Sequence, residues 1–98
     1  MHLTIPHKLS KEAALTKVKE ALDRARPELT TKAQIGEERW DESTLYFAFT
    51  AEGQSVQGTF EVAEADFILD VKLPLILRMF ERKIERMISE QAAKLLCI

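Results

Sequence analysis

This 98-residue chain contains little that would staple or interrupt regular structure: one cysteine, three glycines and three prolines. A single cysteine makes no internal disulfide and fits a reducing compartment. Cys97, one residue from the end, reads as a small apolar group. Scarce Gly and Pro, with 46% hydrophobic and 31% charged residues, exclude collagenous and low-complexity chains and describe an ordinary globular one. Long apolar runs are also missing. Leu73–Leu77, with Pro74 inside it, falls far short of the roughly 20 apolar residues that cross a bilayer as a helix. Met1–Pro6 has neither the basic nor the apolar stretch of a secretory leader, so a cytoplasmic location is expected. Domains usually run to about 100–150 residues, so residues 1–98 form one domain. So short a chain can hardly fill its core and also hold a large pocket.

Catalytic and metal-binding motifs are lacking as well. There is no Cys-x-x-Cys, His-Glu-x-x-His or Gly-x-Ser-x-Gly. His2 and His7 differ in parity on a strand, point to opposite sides, and read as partly exposed strand-end residues. No catalytic residue, metal ligand or cofactor is therefore assigned, and the chain is not expected to be an enzyme.

The net charge of −2 conceals a pattern. Residues 1–32 carry seven bases against four acids, residues 33–70 one base against nine acids, and residues 71–98 six bases against three acids. Basic helices then flank an acidic β region and attract it weakly, because exposed ion pairs are screened. A pI near 5.7 and the absence of an aromatic-basic strand motif argue against nucleic-acid binding.

Hydrophobic periodicity supplies the architecture. His2–His7 alternates and reads as a short edge strand ended by Pro6. Ser10 offers an N-cap, and Ala14, Val18, Ala21, Leu22 and Ala25 recur at helical spacing. A helix is predicted from Lys11 to about Ala25, stopped by Pro27, with a linker over Thr30–Lys32. The period then changes to two. Gln34–Trp40 is a weak strand in which Ile35 and Trp40 share a face only across a β-bulge near Gly36-Glu37. Asp41-Glu42-Ser43 and Glu52-Gly53 are turns. Leu45, Phe47, Phe49 and Ala51 mark one face of the next strand. Val56, Gly58, Phe60 and Val62 mark a face of the fourth strand, and Phe67, Leu69 and Val71 of the fifth. Pro74 opens a helix running to about Leu95, with Ile76, Phe80, Ile84, Met87, Ile88, Gln91 and Leu95 as its inner stripe. The order β-α-β-β-β-β-α predicts an α+β, two-layer sandwich: an antiparallel sheet with a long C-terminal helix across one face. It resembles a miniature helix-grip architecture.

Two surfaces remain unexplained by this core. Leu75 and Met79 lie four apart, off the inner stripe, and are left over at the helix start. They suit self-association into a homodimer, an apolar ligand or an apolar surface, unless the fold itself covers them. The outer face of the central hairpin, with Tyr46, Ala48, Thr50, Gln57 and Thr59, is almost uncharged and suits contact with a partner or a sheet-to-sheet dimer. Gly58 and the small residues of the first helix leave volume opposite Phe47, Phe49 and Phe60, which suggests a small hydrophobic-ligand site as an alternative.

Several segments are familiar. The opening His2-Leu3-Thr4-Ile5-Pro6-His7-Lys8-Leu9 resembles that of the bacterial polyhydroxyalkanoic acid system (granule-region) proteins. So do Trp40-Asp41 leading into Leu45–Phe49, Val56-Gln57-Gly58, Leu73-Pro74 and Phe80–Glu85. The chain departs from the pattern at Asp41-Glu42-Ser43, where an Asn-Gly-Asp-like turn is expected. The resemblance implies a link to polyhydroxyalkanoate metabolism, with a role at the storage granule or in regulating its synthesis. It implies no catalytic residue. Together with the missing catalytic motifs this predicts a non-enzymatic accessory or binding protein that contacts the granule or a granule-associated protein. The alternative, from the volume beside Gly58, is a module for a hydroxyacyl or fatty-acyl group.

Overall fold

The structure, a computed structural model, describes residues 1–96. Cys97 lies outside the described residues. Strand β1 (His2–Pro6) is followed by helix α1 (Lys11–Lys32), then β2 (Gln34–Asp41), β3 (Thr44–Ala51), β4 (Gln54–Val62), β5 (Asp66–Lys72), a one-turn helix α2 (Leu75–Arg78) and α3 (Glu81–Leu96). The five strands form one antiparallel sheet in the order β1-β5-β4-β3-β2. Pro6 therefore sits on an edge strand, where its missing N–H costs no ladder bond. The fold is the expected α+β two-layer arrangement, with α1 and α3 against one face of the sheet.

Alternation along the strands sets that face. Ile5 pairs with Phe67, Phe60 with Leu69, Leu45 with Phe60, and Phe49 with Val56. The register shift between Ile35 and Glu37 is the bulge the sequence required, and it brings Ile35 opposite Phe49 and Trp40 opposite Leu45. The core lies in two clusters. Ala14 and Val18 of α1 are buried with Val62 and Phe67, and Trp40 packs beside them. Val56, Leu69, Val71 and Leu73 are buried at the other end, against Leu77 of α2 and Ile84 and Ile88 of α3. Phe60 touches both.

The tight β3–β4 connection is paired Ala51 to Gln54, with Glu52 at φ 51° and Gly53 at φ 77°. Two left-handed central residues match the twist of the flanking strands, but a glutamate there is strained by about 1 kcal/mol. Glu52→Asn is expected to stabilise the fold by about 0.5–1 kcal/mol, read as a rise in the urea midpoint at unchanged slope.

Two helix boundaries differ from the sequence reading. Helix α1 does not stop before Pro27 but contains it and runs on to Lys32. Proline removes one intrahelical bond at an exposed position, and local bonds hold the following turn. The Thr30 hydroxyl donates to the Pro27 carbonyl at 3.1 Å, the Thr31 hydroxyl to the Glu28 carbonyl at 2.7 Å, and Lys32 pairs with Glu28 at 3.0 Å. Because α1 joins strands at opposite sheet edges, its extra length, about two turns, also carries the chain toward β2. The expected single C-terminal helix is two helices. After Arg78 the chain tightens, with the Phe80 N–H bonding to Leu77 O at 3.0 Å, and α3 restarts with the Ile84 N–H on Phe80 O at 2.9 Å.

Candidate functional site

The break between α2 and α3 exposes apolar side chains. A single turn buries one side only. Leu73 and Leu77 enter the core, and the rest project outward. Leu75 and Met79 are each 80% exposed, the surplus the sequence predicted. Ile76, Phe80 and Met87, assigned by their spacing to the buried stripe, are instead more than half exposed. The inner stripe was drawn for one continuous helix; with the break, Ile84 and Ile88 of the expected stripe residues pack against the sheet core. Arg78, Arg82, Lys83 and Arg86, all exposed, border this patch.

On the opposite side of the molecule, the outer sheet face is uncovered by any described element. Tyr46 lies half-buried there, with the Arg39 guanidinium 4.4 Å from its ring centre. Its π-face is thus occupied from within the chain. Ala48, Thr50 and Gln57 line a shallow groove of about 750 Å³ that reaches Leu73-Pro74; Thr59 lies outside it. Tyr46 pairs with Thr59 and Ala48 with Gln57 across β3 and β4, so the sequence grouped these five residues correctly on one face. Glu37, Arg39 and Asp41 of β2 border that neutral strip.

The inner face carries a feature larger than the sequence suggested. Helices α1 and α3 stand apart over the sheet and leave an apolar cleft of about 630 Å³. Phe47, Phe49 and Phe60 form its floor, Ala21 and Ala25 of α1 one wall, and Ile88 and Ala92 of α3 the other. The Phe47 and Phe49 rings stack with centres 6.2 Å apart. Gly58 is not the source of this volume, contrary to the expectation. A Cβ built there would meet Asp70 O at 2.2 Å, in the β5 backbone. At the cleft margin Arg26 of α1 is hydrogen-bonded to Glu38 of β2 and contacts Asp23 at 3.3 Å. These bonds, Glu38 first, raise the Arg26 guanidinium above its ordinary pKa.

The histidines part company. His2 is exposed, 3.2 Å from Asp70. His7, read as a partly exposed strand-end residue, is buried. Its Nε2 lies 2.9 Å from Ala63 O, its Nδ1 accepts the Leu9 N–H at 3.0 Å, and its ring tilts against Phe67 at 4.9 Å. One ring nitrogen must accept and the other donate, so these contacts fix the neutral Nε2–H tautomer. Residue parity gave no sign of this, because the chain leaves the strand at Pro6. Among the described residues no three His, Cys, Asp or Glu side chains gather as a metal site, and no helix is long and apolar enough to cross a membrane.

The structure is thus that of a small α+β protein with α1 and α3 over one sheet face, an apolar cleft between them and an exposed apolar turn at α2. Residues 1–96 match the family described as "Putative polyhydroxyalkanoic acid system protein (PHA_gran_rgn)", and the chain belongs to that family. No match was found among curated proteins or among solved structures.

Proposed function

We propose that this protein is a non-enzymatic accessory protein of the polyhydroxyalkanoate system that docks on the storage granule in the cytoplasm through the α2 turn. The observation that carries this reading is the cluster of Leu75, Ile76, Met79 and Phe80, all more than half exposed within six residues. Single exposed apolar residues are ordinary, but a contiguous group marks a contact surface. Fully burying one such side chain contributes about 1.5–3 kcal/mol. Four of them, already partly shielded, offer roughly 4–8 kcal/mol before the cost of association. The flanking Arg78, Arg82, Lys83 and Arg86 give the arrangement of an interfacial helix, apolar in the middle and basic at its borders. The family's link to the polyhydroxyalkanoic acid system favours a polyester as that surface.

The test is co-sedimentation with washed polyhydroxyalkanoate granules beside a size-matched control protein. The wild type is expected to pellet with granules and to stay bound in 0.5 M salt, since burial rather than charge dominates. Leu75→Glu combined with Met79→Glu is expected to weaken binding at least tenfold while changing stability by no more than about 0.5 kcal/mol, because both side chains are exposed. Pelleting no better than the control would sink the reading.

A further inference from the structure

A second site stands apart from the exposed turn and does not depend on it. We infer that the cleft between α1 and α3 binds the chain of a single medium-length alkanoic or hydroxyalkanoic acid, with its carboxylate held at the mouth by Arg24 and Lys94.

Three observations converge. The first is size and lining. At about 630 Å³ the cleft falls within the roughly 300–1,000 Å³ of small-molecule sites, and its floor is three phenylalanines. The second is shape. Val18 and Leu29 of α1 both border the cleft, and at 1.5 Å per residue the helix between them spans about 17 Å, the extended length of an acyl chain of about a dozen carbons. The third is charge. Both carboxylates at the margin already have guanidinium partners: Glu38 binds Arg26, and Glu37 lies 3.6 Å from Arg39. Arg24 and Lys94 also border the cleft, from opposite helices, and among the described residues neither has an ion-pair partner. An apolar trough bordered by two cations without ion-pair partners among the described residues fits a linear anion with an apolar tail better than it fits a neutral ester or a second protein copy.

Calorimetric titration of the full chain with alkanoates of six to twelve carbons tests this. Saturable one-to-one binding is expected, strengthening about three- to fourfold per methylene. Ala25→Trp or Ala92→Trp, which fill the cleft from opposite walls, should each weaken decanoate binding at least tenfold. Two walls are used so that a folding defect in one variant, visible by circular dichroism, does not decide the matter. Arg24→Gln with Lys94→Gln should weaken decanoate at least fivefold and leave decanol unchanged. Leu75→Glu with Met79→Glu should leave decanoate binding intact, which separates this site from the granule contact. Four results overturn the proposal: no saturable binding, binding indifferent to both tryptophans, binding abolished by the α2 variant, or a dimer in light scattering that both tryptophans dissociate in the absence of acyl binding. Binding of decanol and methyl decanoate as tight as that of decanoate would overturn the assignment of the two cations.

Discussion

Gly58→Ala is expected to cost this protein about 3 kcal/mol or more of its folding stability. Gly58 sits in β4 between Phe47 of β3 and Val71 of β5. An added Cβ would lie 2.2 Å from Asp70 O and 2.9 Å from Val71 Cα. Both are backbone atoms of β5, so no rotamer change relieves the clash and the two strands must separate. Strand β5 also carries β1, so the damage spreads beyond one pair. Overpacking costs about 1–3 kcal/mol even where side chains can shift. A backbone collision should cost 3 kcal/mol or more, against a total of about 5–15 kcal/mol for a chain of this length. Two other glycines serve as controls. Gly36 meets only Ala48 O, at an ordinary 3.7 Å, and its alanine variant should be near neutral. Gly53, at φ 77° in open space, should lose about 1 kcal/mol through backbone strain alone. Urea unfolding of the three variants should rank them Gly58, Gly53, Gly36. A Gly58→Ala protein with an unchanged midpoint would show that β4 and β5 do not approach this closely.

The second large effect is expected at His7. In His7→Ala the Ala63 carbonyl and the Leu9 N–H lose their side-chain partner, and the ring's packing against Phe67 disappears. An unsatisfied buried group costs about 1–3 kcal/mol, and a cavity adds to it. A loss of about 3 kcal/mol corresponds to a fall in Tm of roughly 12–24 °C for a domain of this size. His2→Ala, which removes only an exposed pair with Asp70, should shift stability by less than about 1 kcal/mol. Equal effects at the two positions would remove the structural role assigned to His7. That role also accounts for the second histidine of the opening motif: it fastens the turn after β1 to the β4–β5 connection through Ala63.

The strands and their faces were legible in the sequence because a period of two is local and one face is buried. Leu45-Phe47-Phe49 and Val56-Phe60-Val62 fix the register by themselves, since a one-residue slip would turn every apolar side chain outward. The Ile35–Trp40 parity conflict even located the bulge. Helix ends were less legible. Pro27 is a stop signal by local rule, yet the span from one sheet edge to the other keeps the helix going. The 3.6 period ran on through Met79-Phe80 because periodicity does not register a tightened turn between two helices. Of the candidate contact residues, Leu75 and Met79 were found as leftovers of that stripe, while Ile76, Phe80 and Met87 were hidden inside it.

The amino-acid sequence alone determined an α+β fold, its strand alternation, its family and the neutral outer face on which Tyr46, Ala48, Thr50, Gln57 and Thr59 stand. These follow from contacts between near neighbours in sequence and from composition. Tertiary structure decided the burial of His7, the size of the exposed patch and the cleft over Phe47, Phe49 and Phe60. Each depends on where α1 and α3 lie relative to the sheet and to one another. That placement is set by packing between elements far apart in the sequence, and no pattern within one segment encodes it.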